Sequence, residues 1–176
     1  GAHILEVVHC GADPAVDERV LQILSQAKQT RADTAILVSN HLYCPEGMMG
    51  AETFPYFIDA DAGLARLDHV FVPAGSGALA RSVAQGFSHP AVTHKPAVHL
   101  VQPAGCDTIA SSLREGRGEG TVLAKATTAV TGLKVPFLLD VAPVIALARA
   151  SGGTGFVGTD QEIYAAQSRL ALEEGI

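Results

Sequence analysis

The sequence contains no tryptophan, and aromatic residues fill only 5% of its 176 positions. Its core must therefore be built from Ala, Val, Leu and Ile, a composition suited to buried parallel strands covered by Ala-rich helices. Charged residues are also sparse, 17% against 48% apolar, which excludes a disordered chain. Lys and Arg form no clusters, and the net charge is −6, so nucleic acid is not the expected partner. The three cysteines, Cys10, Cys44 and Cys106, lie far apart with no C-x-x-C pair, so neither a disulfide framework nor a zinc knuckle is indicated. No apolar run approaches the ~20 residues of a membrane-spanning helix. No basic stretch leads into an apolar one as a signal peptide would require. These absences read as a cytoplasmic chain with no membrane partner. Its length suits one domain with a substantial core.

What is present alternates strand and helix from end to end. Residues 3–9 read as a short apolar strand, and Asp13-Pro14 supplies an N-cap and a proline at the first helical position. Val16, Val20, Ile23, Leu24 and Ala27 then form one apolar helical face. A strand is expected over 34–39, a loop over 40–50, where Pro and Gly break any period, and a helix around 53–67 limited by Pro55. Short apolar strands are expected over 70–72 and 97–101, with a helix over 78–87 between them. Asp107 is expected to cap a helix running to Gly116, with Ile109 and Leu113 inward. Residues 116–120 read as a flexible connector, 140–150 as a helix with Pro143 in its first turn, and 154–158 as the last strand. Thr159-Asp160-Gln161-Glu162 has the form of a capping box opening a helix with Ile163, Ala166 and Leu170 on one stripe and Gly175 as its C′ residue. The fold class implied is α/β, a doubly wound, mostly parallel sheet with helices on both faces in three layers. It forms one domain over 1–176, with 1–60 as an opening βαβ unit and linking loop and 61–176 as a core around a glycine loop.

That loop is the strongest functional signal. Val70-Phe71-Val72-Pro73 runs into Ala74-Gly75-Ser76-Gly77-Ala78-Leu79-Ala80, so a strand ends in a glycine-rich turn that opens a helix. Such a turn aims backbone N–H groups at a phosphate. Two ligands fit. Gly75-x-Gly77-x-x-Ala80 has the dinucleotide spacing, which expects an acidic residue at the end of the next strand, where this chain has uncharged Gln102. The alternative is one phosphate group held by the loop amides. A tight turn without any ligand is the bland reading of the same residues.

Other constellations are weaker. His41 and Cys44 have the spacing of a nucleophile–base pair or half a metal site, but no second ligand pair accompanies them, so loop packing is the better reading. His89, His94 and His99 recur every five residues, which matches neither a helix nor a strand face. Ser151-Gly152-Gly153-Thr154-Gly155 follows a helix and precedes a strand, and reads as a C-cap turn.

Several segments, in order, resemble the second half of the fold type II pyridoxal-phosphate (PLP) enzymes: threonine synthase, threonine and serine dehydratases, cysteine synthase and their relatives. Gly1-Ala2-His3-Ile4 resembles the strand G-A-x-V, Gly50-Ala51-Glu52-Thr53 resembles G-x-K-T, and 67–73 resembles x-D-x-V-x-V-P. Ala74–Leu79 stands at the family's phosphate loop, 98–103 at V-x-V-x-P, and 127–133 at T-I-A-D-G-L. Residues 157–163 resemble V-S-D-E-E-I, and the closing 170–176 resembles L-A-x-x-E-G-I. The departures are Glu52 in place of a common lysine, and Ser76 and Ala78 where glycines are usual. None of the four lysines, Lys28, Lys95, Lys125 and Lys134, stands in the S-x-K context of the family's Schiff-base lysine. The segment that supplies Ser, Thr or Cys to the pyridine nitrogen is not matched either.

The resemblance implies a PLP-dependent lyase or synthase working by β-elimination or β/γ-replacement on a small amino acid, threonine synthase-like or dehydratase-like. It implies that Gly75, Ser76, Gly77, Ala78 and Leu79 hold the cofactor phosphate and that Gly132 lies beside the cofactor ring. It names no catalytic residue and no metal ligand here. The chain then reads as one part of an enzyme, completed by an N-terminal segment or assembled as a homo-oligomer. The alternatives are a non-catalytic phosphate-ligand-binding or regulatory domain derived from that family, and a dinucleotide-binding oxidoreductase domain.

Overall fold

The computed structural model describes residues 39–60, 67–136, 138–139 and 141–176, together with positions 19, 20, 22, 23, 25, 26 and 29. The expected strands at 3–9 and 34–39 lie outside the described residues, apart from Ser39. The described positions between 19 and 29 are helical, with Val20 and Ile23 half-buried and Arg19 and Gln22 exposed, as the apolar face predicts.

Three strands form a parallel sheet: β1 (His69–Pro73), β2 (Ala97–Pro103) and β3 (Gly155–Gly158), in the order β1-β2-β3. Val72 pairs with Leu100 and Pro73 with Val101, while Leu100 also faces Gly155. Helix α3 (Ala78–Ser88) crosses from β1 to β2, and α4 (Ala110–Arg114) and α5 (Val141–Ala150) lie on the path from β2 to β3. This parallel sheet with crossover helices belongs to the three-layer α/β class read from the alternation.

Side chains alternate along each strand, so one face carries Val70, Val72, Val98, Leu100 and Val157. These pack with Val83, Ala84 and Phe87 of α3, Leu113 of α4, and Val144, Ile145 and Ala148 of α5 in one apolar cluster. No Trp is needed, because small side chains let helices and sheet approach closely. On the opposite face His99 stacks on Phe71 at 4.8 Å between ring centres and meets Phe156 edge-on at 5.5 Å. Phe71 is 57% and Phe156 44% exposed there, so the described residues leave that face open.

Three expectations need correction. Residues 40–50 are not all loop: α1 (Pro45–Glu52) begins with proline in its first turn, where a missing N–H costs nothing. The Asn40 side chain tightens the preceding turn by accepting from the Leu42 amide at 2.8 Å. The next helix, α2 (Phe54–Ala60), is shorter than expected, and residues 61–66 lie outside the described set. Asp107 is not the N-cap of α4. That position is Ile109, although the Asp107 carboxylate does accept from the Ser111 amide at 2.9 Å and from its hydroxyl.

The last helix, α6 (Asp160–Glu174), opens with both halves of the expected capping box and closes on Gly175 in the left-handed region. It contributes no buried residue to the described structure, and Ala166 and Leu170 of its apolar stripe are exposed. Among the described residues no helix is long and apolar enough to cross a membrane.

Candidate functional site

Ligands of parallel α/β sheets bind beyond the carboxyl ends of the strands, and four segments meet there. The first is the glycine loop. β1 ends at Pro73, the Ala74 amide bonds to the Val101 carbonyl at 2.9 Å, and the chain turns through Gly75, Ser76 and Gly77 into α3. Gly77 is the N-cap, with φ of 88° and no side-chain cap. An L side chain resists that conformation, and a Cβ there would press on Val144 and Ile109 at 3.0–3.1 Å. The amides of Ala78, Leu79 and Ala80 open the helix and have no intrahelical acceptor. No acidic residue stands in the first turn of α3, so nothing there opposes an anion.

The second segment is the turn over Thr131–Leu133. A Cβ on Gly75 would meet Val135 at 3.1 Å and the Gly132 carbonyl oxygen at 3.4 Å. The structure thus brings Gly132 against the loop, 57 positions apart in the chain by their numbers, 132 − 75. The third is the turn Ala104–Cys106 after β2, where the Gly105 carbonyl accepts from the Thr127 amide at 2.8 Å. Burial pushes the Cys106 thiol up in pKa against the pull of the Val135 amide, which disfavours the thiolate. The fourth is the start of α6, where Asp160 accepts from the Thr128 hydroxyl at 2.6 Å and the Ala129 amide at 2.7 Å.

All six residues expected at the site, Gly75, Ser76, Gly77, Ala78, Leu79 and Gly132, therefore sit at one edge of the sheet. Two contributors were not singled out for it. The sequence shows Asp160 only as part of a capping box, yet its carboxylate reaches across to residues 128 and 129. Gln102 was read only as a missing acid. It is fully buried beneath the loop, with its carboxamide engaged by Ala74, Gly75, Thr108, Ile109 and Ala110. Such a side chain presents no group to a ribose. The signal available was a polar residue on the core face of an otherwise apolar strand, and sequence alone does not say what it bonds.

The other expected constellations lie elsewhere. His41 is buried between α1 and α3, with its Nε2 3.3 Å from Ser82 Oγ and 3.6 Å from Glu52 Oε1. Burial, then the Arg81 charge, lowers its pKa against the opposing pull of Glu52. Lys95 donates to the carbonyls of Phe87 at 2.8 Å and His89 at 2.6 Å, at the far end of α3 from the loop. Among the described residues no three His, Cys, Asp or Glu side chains converge as metal ligands.

The loop thus presents the first amides of α3 with no acidic side chain in that turn, and the Gly132 turn packs beside it. The solved structure of T.th. threonine deaminase has the same fold, with a TM-score of 0.57 at 23% identity, over 74% of this chain and 46% of its own length. The chain thus spans less than half of that structure. No curated protein matches the sequence. The family of pyridoxal-phosphate dependent enzymes matches from residue 1 to residue 176, and the chain belongs to that family.

Proposed function

We propose that this chain is the part of a PLP-dependent amino-acid lyase or synthase that holds the cofactor phosphate. The substrate is a small amino acid of the serine or threonine type, and the reaction is a β-elimination or a β/γ-replacement. The carrying observation is the glycine loop: left-handed Gly77 opens an 11-residue helix, and Gly75 packs on the Gly132 turn. The name of the structurally similar threonine deaminase favours the dehydratase-like form.

In this reading the amides from Gly75 to Leu79 donate to the phosphate, with the partial positive charge of the α3 start, about half a unit, behind them. Ser76 is free to add a hydroxyl donor. The Gly132 turn forms the wall beside the ring, and a residue without a side chain leaves room for it. Bound PLP supplies an electron sink for the α-carbon of the amino acid. By resemblance the lysine that carries the cofactor stands in an S-x-K context, which none of Lys28, Lys95, Lys125 and Lys134 has, and Lys95 is tied to the far end of α3.

The test is a titration of the chain with PLP, pyridoxal and inorganic phosphate, followed by phosphorus NMR. PLP should bind, phosphate should compete, and pyridoxal should bind far more weakly. Gly75→Val, which pushes the side chain of Val135 and the Gly132 carbonyl, should abolish retention. Equal binding of PLP and pyridoxal, insensitive to phosphate, would sink the assignment. Borohydride trapping with peptide mapping then separates two forms of the reading. Scatter over the lysines places the catalytic lysine elsewhere, whereas a single adduct makes this chain catalytic by itself.

A further inference from the structure

Gln102 closes an apolar strand on the core face and is fully buried, so every polar atom it carries must find a partner inside. Its Nε2 donates towards the Ala74 carbonyl at 3.0 Å, the Gly75 carbonyl at 3.3 Å and Thr108 Oγ1 at 3.1 Å. Its Oε1 accepts from the amides of Ile109 at 2.7 Å and Ala110 at 2.8 Å. The reverse orientation of the carboxamide would set N–H against N–H and oxygen against two carbonyls, so the network fixes which atom is which. One side chain thereby ties the glycine loop to the turn that opens α4.

The consequence follows from peptide geometry. A trans peptide unit is planar, with its C=O and N–H pointing in opposite directions. Holding the Ala74 carbonyl inward turns the Gly75 N–H outward, and holding the Gly75 carbonyl inward does the same for the Ser76 N–H. We propose that Gln102 is a positioning residue for the cofactor phosphate, acting by pinning the Ala74 and Gly75 carbonyls so that the next two amides face the ligand. This rests on the phosphate-loop reading above, which it deepens.

Neither of the two side chains closest in shape does the same work at neutral pH. Methionine at this position has no donor and leaves the loop carbonyls and the Ile109 and Ala110 amides buried without partners. Glutamate when ionised sets an anionic oxygen against two carbonyls, but when protonated it regains one donor and keeps its acceptor. The ionisable groups on the surrounding segments are Cys106, Asp107, Lys134 and Asp160, and all of them remain in the variants.

The experiment uses Gln102→Glu, Gln102→Met and Thr108→Val, with PLP affinity measured from pH 8 to pH 5.5 and divided by the wild-type value at each pH. In parallel, exchange protection and chemical shifts of the Gly75 and Ser76 amides are followed without ligand. The glutamate variant should bind PLP at least about tenfold more weakly at pH 8, the equivalent of one buried hydrogen bond, and recover towards wild type in acid. The methionine variant should stay weak at every pH. Thr108→Val removes the third acceptor and leaves the two Nε2 hydrogens to the two loop carbonyls, so it should bind PLP as wild type does. Where neither Gln102 variant folds, the wild-type amides decide, since Gly75 and Ser76 N–H groups that face the ligand should exchange freely without it. A glutamate variant equal to wild type at all pH values, or wild-type Gly75 and Ser76 amides strongly protected from exchange without ligand, would overturn the proposal. If the amide signals follow pH in the glutamate variant while wild type does not distinguish PLP from pyridoxal, the phosphate reading fails and the pinning of the loop stands.

Discussion

The Thr128 hydroxyl donates to Asp160 Oδ1 at 2.6 Å, so the first residue of α6 holds a segment 32 positions earlier in the chain. The Ala129 amide donates to the other carboxylate oxygen at 2.7 Å, and the Val130 amide donates in turn to Thr128 Oγ1 at 3.0 Å. This relay sets the chain on its way into the Thr131–Leu133 turn and hence against Gly75.

Asp160 should therefore show itself in acid. The Ala129 amide and the Thr128 hydroxyl hold its carboxyl below the ordinary value of 3.8. A carboxyl depressed in the folded state contributes stability that is complete above that value and lost as pH falls through the folded pKa. Thermal melts from pH 5 downward should show an acid limb that flattens in Asp160→Asn. The same variant should weaken protection of the Ala129 amide. An acid limb of unchanged shape would show that the contact does not bear on folding.

Histidine should govern the range above. The Thr154 amide donates to His99 Nδ1 at 3.0 Å, so the ring proton sits on Nε2 and faces His69 Nδ1, also at 3.0 Å. Burial first, then the neighbouring His69, lowers the His99 pKa from 6.5, and His41 is lowered as well. The unfolded chain binds these protons more readily, so stability should be complete above about pH 7 and decline as pH falls through 6.5. His99→Phe should reduce that slope and leave the part due to His41. A melting temperature independent of pH between about 7 and 5 would contradict the lowering of both histidines by burial.

Gly86 should tolerate no side chain. A Cβ there would strike the Glu52 carbonyl oxygen and the Pro55 ring, both backbone-anchored, where α3 crosses the α1–α2 corner. Gly86→Ala should cost about 1–3 kcal/mol through overpacking, read as a fall of several degrees in Tm. Alanine ordinarily favours a helix over glycine by up to about 1 kcal/mol, so a stabilised variant would mean that the two helices part easily.

Thr159→Ala should loosen α6 alone. That helix buries no residue, so its start depends on the Thr159 hydroxyl accepting from the Glu162 amide at 3.2 Å. Loss of such a cap costs about 1 kcal/mol. Amide exchange should quicken in the first turn of α6, and through Asp160 at Ala129, with α3 and α5 unaffected. Uniform quickening would show that α6 is packed into the core cooperative unit.

The sequence alone decided which segments are strands and which are helices wherever local chemistry dominates. The run from Val70 to Val72 became β1, the residues after Gly77 became α3, and Thr159 with Glu162 made the capping box as their spacing requires. It also located the glycine loop, because a strand, a glycine turn and a helix start are read from neighbours in the chain. The loop over 40–50 misled because Pro45 and Gly47 argue against a helix one residue at a time, whereas Pro45 at the first turn suits one.

Tertiary structure decided everything that needed two distant segments. It set Gly132 beside Gly75, turned Gln102 from an absent acid into the tie beneath the loop, and sent the Asp160 carboxylate to Thr128. These contacts depend on the register β1-β2-β3 and on which face each side chain takes. A single sequence carries the alternation of faces but not the neighbour that each face will meet, because that is settled only when strands pair and the carbonyls and amides buried between them must each find a partner.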